Sequence, residues 1–237
     1  DGPDINQLEH IFSEYKPKLY ITNSILNNPT SYNISSSIMY KVLNLLNKHN
    51  VYLLEDDVYS HLDNRSLRYA TLDQFEKVFY VTGVSKVLGA NWRVGFLCTP
   101  KHFLEPILRQ KMLSNMSSTE LTERTVYKIW IDSHYKKHIE SMKIKLARKH
   151  TQLKLALNKI GIEYPEQSNM GIFIWINTEL DTTKMAIEAS KDNWVLAPGY
   201  LFSPNNTYST YLRLNVTRTT DEFIQWLYQY RLDNMKG

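Results

Sequence analysis

The sequence is poor in cysteine and contains no long apolar run. Its single cysteine, Cys98, excludes an internal disulfide, and no Cys-x-x-Cys motif is present. Cys98 lies in the apolar stretch VGFLC, where we predict a small buried residue rather than a nucleophile. The longest apolar runs fall far short of the roughly 20 residues that span a bilayer, and the opening DGPDINQLEH is polar. We therefore expect no transmembrane helix, no signal peptide, no membrane partner and a cytoplasmic location.

The chain carries little excess charge of either sign. Its 28 Lys and Arg residues against 24 Asp and Glu residues give a formal net charge of +4. Much of the basic excess lies in residues 134–154, where apolar residues recur at helical spacing, so we interpret this segment as a solvated helix face rather than a nucleic-acid surface. His134 and His138 lie four residues apart there, but no third ligand accompanies them, and we predict no metal site.

Short apolar, β-prone segments alternate with helical segments in the first part of the chain. We predict strands at 18–22, 51–54, 77–82 and 94–98, and helices at 5–14 and 35–50, the second helix behind a serine-rich N-cap. A connecting segment with a turn near Asp63 and Asn64 follows the second strand. This pattern predicts an α/β fold with a mostly parallel sheet that is covered on both faces.

The pattern changes near Glu105, where long helices replace the alternation. We predict further strands near 172–176, 194–197 and 210–216, and a closing helix at 220–233. Residues 1–115 then form part of a large α/β domain, and residues 116–237 form linking helices and a smaller C-terminal α+β domain. Because an open sheet of four strands has two exposed edges, we expect that the chain begins inside a domain.

Polar side chains follow each of the first three predicted strands. In open α/β sheets, ligands bind beyond the carboxyl ends of the strands. Buried ionisable groups cost several kcal/mol each unless they are paired, so their convergence at one edge indicates a ligand. In chain order these side chains are Asn28, Asp56, Tyr59, Ser85, Lys86 and Arg93.

Pyridoxal phosphate matches this set of groups. The Lys86 amine suits a Schiff base with the aldehyde, and the Asp56 carboxylate suits a protonated pyridine nitrogen. Glu55 and Asp57 flank Asp56, and alternation along the strand turns both away from the ring. The remaining groups are assigned in the same way, Asn28 and Tyr59 to the phenolate oxygen of the ring, and Ser85 and Arg93 to the phosphate.

Five segments in order resemble the motifs of class I and II aminotransferases, which are fold-type I pyridoxal-phosphate enzymes. The segments are NNPTS, EDDVY, SKVLGANWRVGF, LAPGYLFSP and YLRLN. The resemblance implies that Lys86 is the Schiff-base lysine, that Arg93 binds the phosphate, and that Arg213 holds the α-carboxylate of a substrate. It also implies a homodimer.

The segments TNSILNNPTS and KHNVYLLEDDVYSHL, with LAPGYLFSPNNTYSTYLRLN, more narrowly resemble the aminotransferase-like domain of MocR-type bacterial regulators. In that family a GntR-type winged helix-turn-helix precedes a domain that binds pyridoxal phosphate and senses an amino acid or amine. The resemblance implies that DNA is bound only through an upstream domain that is not in this chain, and that an upstream segment supplies the glycine-rich phosphate cradle. Genuine amino-acid transamination is the alternative function, and a scaffold that binds no cofactor is a third.

The resemblance is incomplete at three positions. Gly83 stands where the family usually has Ser or Thr, Ser31 replaces a usual glycine, and Met170 precedes Gly171 where two glycines are common. None of these departures removes Lys86. Because small losses of positioning weaken catalysis by large factors, we expect cofactor binding to be retained better than turnover.

Overall fold

The computed structural model describes residues 2–63, 66–165 and 170–235, in two compact units. Unit 1 comprises residues 1–26 and 32–141, and unit 2 comprises residues 27–31 and 142–237. The domain boundary that the sequence places after residue 115 stays a prediction. The two compact units divide the chain after residue 141 instead, with residues 27–31 in unit 2. Asn64, part of the predicted turn, lies outside the described residues. No helix in these ranges is long and apolar enough to cross a membrane.

Unit 1 contains a four-stranded sheet with the order β1-β2-β3-β4. The first three strands are parallel and β4 is antiparallel to β3, which confirms the predicted mostly parallel sheet. The strands are β1 (Leu19–Thr22), β2 (Tyr52–Asp56), β3 (Val78–Gly83) and β4 (Gly95–Cys98). The helices are α1 (Ile5–Tyr15), α2 (Ser36–His49), α3 (Tyr69–Asp73), α4 (Leu104–Asn115), α5 (Glu120–Ile131) and the first part of α6 (Ser133–Lys159).

The local sequence explains the limits of α2. The Ser35 hydroxyl accepts a hydrogen bond from a backbone N–H in the first turn, as the predicted N-cap requires, and Asn50 ends the helix in the left-handed conformation. Met39, Val42 and Leu46 recur at intervals of three and four residues and are buried. An amphipathic face therefore anchors this helix.

Strand β4 is exposed along its whole length. It lies at the edge of the sheet, and all four of its residues are exposed. Cys98 is exposed with them, so the prediction that it is buried is wrong. The reason is topological, because an edge strand with one neighbour covers fewer of its side chains than an inner strand does.

Alternation along β2 divides three consecutive carboxylates between two faces. Glu55 and Asp57 are fully buried, whereas Asp56 is only partly buried. Asp57 accepts hydrogen bonds from Arg68 Nε at 3.1 Å and from the Tyr80 hydroxyl at 2.6 Å. These partners offset the cost of burying its charge.

The Glu55 carboxylate joins three segments of unit 1. It accepts hydrogen bonds from the Ser24 hydroxyl at 2.5 Å and from the backbone N–H groups of Tyr69 and Ala70 at 3.0 and 2.9 Å. The residue before α3, Arg68, makes no side-chain capping bond, so Glu55 supplies the cap from β2. The sequence did not predict α3, whose five residues are too few for a periodic pattern.

Unit 2 contains a three-stranded antiparallel sheet with the order β5-β7-β6. One face of the sheet packs its apolar residues, among them Ile174, Ile176, Leu212 and Leu214, into the helical core of the unit. The elements are β5 (Phe173–Asn177), α7 (Thr182–Lys191), β6 (Ala197–Pro198), β7 (Tyr211–Asn215), α8 (Asp221–Asn234) and the second part of α6. Strand β6 is short and contains only the end of the strand predicted at 194–197.

Burial raises the pKa of the Glu55 carboxyl above its ordinary value of 4.5. Because the folded protein then binds this proton more tightly than the unfolded chain does, the free energy of unfolding falls as the pH rises from 4.5 through the raised pKa. The variant Glu55→Gln has no such proton. We therefore predict that the stability advantage of the wild type over Glu55→Gln shrinks as the pH rises through this window.

Urea unfolding at pH values between about 4 and 7 measures this difference. Glu76→Gln, which removes an exposed carboxyl, is the matched control and is measured at the same pH values. A pH-independent difference for Glu55→Gln would contradict the account of Glu55.

Candidate functional site

Five predicted site residues lie in unit 1, beyond the carboxyl ends of β2 and β3. Asp56 is the last residue of β2, and Tyr59 follows it and is buried. Ser85 and Lys86 come directly after β3, and Arg93 lies in the turn that leads to β4. Because β2 and β3 are parallel neighbours, their carboxyl ends lie at the same edge of the sheet.

Lys86 lies over an aromatic ring and near a carboxylate. Its Nζ atom is 5.5 Å from the centroid of the Tyr59 ring, a cation–π distance. Burial raises the pKa of Asp56 above its ordinary value of 3.8, the Asp57 charge acts in the same direction, and the charge of Lys86 acts against both. The amine and the Asp56 carboxylate are therefore electrostatically coupled.

The Asp56 carboxylate has few partners of its own among the described residues. Its side chain accepts one long hydrogen bond from them, from the Val58 N–H at 3.3 Å. Its backbone carbonyl accepts a 2.6 Å hydrogen bond from Asn23 Nδ2. Asn23, the first polar residue after β1, is a positioning residue that sequence reasoning missed, although its place directly after the strand was a signal. The arrangement leaves a half-buried carboxylate that a cationic group can stabilise.

Ser85 and Arg93 offer donors without strong internal partners. The Ser85 hydroxyl is half-buried and has no hydrogen-bond partner within the described residues. Arg93 is exposed, in the left-handed conformation, and its Nη1 atom approaches the Ala90 carbonyl at 3.5 Å. Within the same part of the chain, neither residue forms a hydrogen bond with Lys86. A hydroxyl and a guanidinium of this kind can bind an anion.

Gly83 has a structural reason to be glycine. It pairs with Gly95 across β3 and β4, and a Cβ atom added to it would lie 3.2 Å from the Val94 carbonyl oxygen. The two strands thus approach closely at this point. Gly83 therefore lacks the hydroxyl that the family resemblance implies at this position. Of its neighbours in the sequence, Thr82 donates its hydroxyl to the Asp57 carbonyl oxygen, and Ser85 lies two residues further on.

The other two predicted site residues lie in unit 2 and contact each other. Arg213 Nη1 donates a 2.8 Å hydrogen bond to Asn28 Oδ1. The guanidinium carbon of Arg213 lies 4.2 Å from the centroid of the Phe173 ring and 5.0 Å from that of Phe202. Two aromatic rings and one amide therefore fix the guanidinium, which suits bidentate recognition of a carboxylate.

Sequence reasoning missed both aromatic partners of Arg213. The strand pairing explains the contact with Phe173. Strand β5 pairs with β7 so that Trp175 lies directly opposite Arg213, and Phe173 lies two residues away on the same face. The alternation along β5 was therefore a partial signal for Phe173. Phe202 follows β6 in a short 3-10 turn and carried no comparable signal.

The two histidines considered for a metal have separate partners. His134 Nδ1 lies 2.6 Å from an Asp132 carboxylate oxygen, and His138 Nε2 lies 2.8 Å from the Val87 carbonyl oxygen. Across the described ranges no three His, Cys, Asp or Glu side chains are grouped as metal ligands.

Chemically, the unit 1 group offers an amine that can form an imine with a carbonyl, a carboxylate that feels the charge of this amine, and a hydroxyl and guanidinium for an anion. The pair in unit 2, taken by itself, offers a guanidinium for a carboxylate.

Bacterial regulators are similar to the chain over most of its length. The uncharacterized HTH-type transcriptional regulator YdcR of Escherichia coli is 28% identical over 224 residues, which cover 91% of this chain and 47% of YdcR. The HTH-type transcriptional regulator NorG of Staphylococcus aureus is 23% identical over 206 residues, 84% of this chain and 47% of NorG. The chain thus spans less than half the length of these relatives.

Solved aminotransferases share its fold. Kynurenine aminotransferase of Pyrococcus horikoshii superposes with a TM-score of 0.86 at 21% identity, over 98% of this chain and 60% of that one. LysN of Thermus thermophilus is an α-aminoadipate aminotransferase solved with N-(5'-phosphopyridoxyl)-L-leucine. It superposes with a TM-score of 0.83 at 20% identity, over 97% of this chain and 61% of LysN.

The family profile of aminotransferase class I and II matches residues 2–228, which is nearly the whole chain. With the fold of the solved enzymes, this match shows that the chain belongs to the class I and II aminotransferase family.

Proposed function

We propose that this chain is the pyridoxal-phosphate-binding effector part of a MocR-type transcriptional regulator, which senses an amino acid or an amine. The regulatory part of the proposal is supported by the similarity to YdcR and NorG. The cofactor part is supported by one observation above all, the Lys86 amine over the Tyr59 ring, where its charge acts on the Asp56 carboxyl at the carboxyl ends of parallel strands.

The residues present fit the cofactor. Bound pyridoxal phosphate supplies an aldehyde that exchanges between amines and a protonated ring that withdraws electrons. Lys86 would hold the aldehyde carbon, and Asp56, whose burial disfavours its charge, would gain a cationic partner at the ring nitrogen. The other contacts from unit 1 would be that of Tyr59 with the phenolic oxygen of the ring and those of Ser85 and Arg93 with the phosphate.

Arg213 would bind the α-carboxylate of an amino-acid effector. Its guanidinium is already oriented by Asn28, Phe173 and Phe202, so little side-chain entropy is lost when a carboxylate binds. The free Lys86 amine would be a base that can accept or return a proton. A change of conformation that depends on the effector would then bias DNA binding by another domain of the whole protein, in the cytoplasm.

We further propose that the protein is a homodimer through α4. No residue of this helix is buried, and its apolar residues Leu104, Leu108 and Met112 are spaced four apart and exposed. Monomeric proteins rarely expose a contiguous apolar surface of this kind, and a second copy would cover it. A monomer at micromolar concentration in sedimentation equilibrium would contradict this assignment.

A genuine class I and II aminotransferase is the second candidate. The solved proteins that share the fold, among them kynurenine and α-aminoadipate aminotransferases, support it. In this function Lys86 would move the α-proton of the substrate as a general base. Multiple turnovers of amino-group transfer to a 2-oxo acid distinguish it from a sensor, which exchanges its amine without net transfer.

We predict that Lys86→Ala abolishes the visible absorbance of protein-bound pyridoxal phosphate, because no other described residue places an amine over Tyr59. Absorbance spectra of the purified protein after addition and removal of excess cofactor measure this. Lys41→Ala, which removes an exposed lysine on α2, is the matched control and should keep the wild-type spectrum. An unchanged Lys86→Ala spectrum would overturn the assignment.

We predict that Arg213→Gln separates effector binding from cofactor binding. A hydrogen bond to a charged group contributes about 1.5–3 kcal/mol, so the amino-acid concentration for half-maximal spectral change should rise by roughly 10- to 100-fold. Cofactor absorbance without amino acid should stay near the wild-type value, and so should the response to a simple amine that has no carboxylate. Equal losses for the amine and the amino acid would contradict the role of Arg213.

A further inference from the structure

Helix α6 concentrates the positive charge of the chain. It carries eight of the 28 Lys and Arg residues but only one of the 24 acidic residues, Glu140. The remainder of the chain therefore has twenty basic and twenty-three acidic residues and is slightly acidic. The net charge of +4 arises from this one helix.

Three of these cations lie together on the part of α6 in unit 2. Lys145, Arg148 and Lys149 are exposed and are separated by three and four residues, so they share one face of the helix. None of them forms an ion pair or a hydrogen bond with a described residue. By contrast, Lys191 on α7 is paired with Glu188. Like charges at these spacings destabilise an isolated helix, and a polyanion would relieve their repulsion.

The three cations line an open groove of about 540 Å³. The Gln152 amide lines it beside them, together with Thr217 and the apolar side chains of Met142 and Leu146. The Thr217 hydroxyl already donates a 2.9 Å hydrogen bond to Asn215 Oδ1, so Gln152 is the neutral donor of the groove. An adjacent groove shares Lys149 and ends at acidic side chains near the start of α8, so it is less suited to an anion. We call the first groove the basic groove; it is lined by Met142, Lys145, Leu146, Arg148, Lys149, Gln152 and Thr217.

We propose that the basic groove binds the phosphate backbone of double-stranded DNA. Closely spaced cations with a neighbouring amide donor are among the groups that contact DNA phosphates. The choice of DNA among polyanions rests on the proposed regulatory function. The proposal departs from two expectations from the sequence, that this helix face is merely solvated and that DNA is bound only through another domain.

The test compares two charge-reversal variants of the whole protein. The groove variant is K145E/R148E/K149E, and the control K18E/K41E/K184E reverses three exposed lysines that also lack ion pairs in the described part of the chain. Both variants change the net charge equally. The affinity for a labelled duplex of unrelated sequence is measured by fluorescence anisotropy over a series of KCl concentrations.

We plot the logarithm of the association constant for DNA against the logarithm of the KCl concentration. For the groove variant we expect this slope to become less negative by about 2 to 3, since each phosphate contact contributes about −0.9. We also expect a loss of at least about tenfold in affinity at low salt. The control should keep the wild-type slope. The neutral variant K145Q/R148Q/K149Q should lose a similar part of the slope, and circular dichroism checks that every variant is folded.

Equal slopes for the groove variant and the control would overturn the inference while leaving the regulatory function intact. No DNA binding by the wild type would instead overturn the regulatory function itself and the inference with it. Loss of binding to phosphatidylserine vesicles by the groove variant, with unchanged DNA binding, would reassign the groove to lipid and would also overturn the proposal.

Discussion

The division of three consecutive carboxylates at the end of β2 determines what unit 1 can bind. Glu55 and Asp57 face the interior, where an isolated charge would cost several kcal/mol, and each is held by specific donors. Asp56 lies between them on the other face of the strand. Because its two neighbours are anchored, the backbone at Asp56 has little freedom, and its carboxylate faces the side where Lys86 lies.

The sheet of unit 2 uses the same alternation for a different purpose. One face of β5 and β7 packs against helices as an apolar core, and the opposite face carries Arg213 with aromatic neighbours. The guanidinium is held by ring faces and by the Asn28 amide oxygen, which carries no charge. These neutral groups orient the guanidinium, a geometry that suits bidentate hydrogen bonding.

Short apolar segments and apolar residues at helical spacing predicted most of the fold from the sequence. The helices at 5–14 and 35–50 and the four strands of unit 1 lie within about two residues of their predicted limits, because these two patterns define them. The predicted burial of Cys98 was wrong because the sequence does not show whether an apolar strand lies at an edge. The helix α3 was not predicted because it is capped by the distant Glu55, and its own five residues carry no periodic pattern.

Site residues that directly follow a strand could be predicted from the sequence. Residues that reach the site through tertiary contacts were harder to predict. Lys86, Asp56 and Tyr59 were found by this rule, and the structure places the amine over the ring. Asn23 was missed although it directly follows β1, and Phe202 was missed because it lies in a short 3-10 turn without a periodic pattern. The roles of all the site residues stay predictions until a ligand is bound.

The central claim is that unit 1 holds pyridoxal phosphate covalently on one lysine. Borohydride reduction of the cofactor-loaded protein fixes the bond permanently, and peptide mapping by mass spectrometry then locates it. The account predicts a single pyridoxyl group on the peptide that contains Lys86. A modification on another lysine, or none at saturating cofactor, would contradict it.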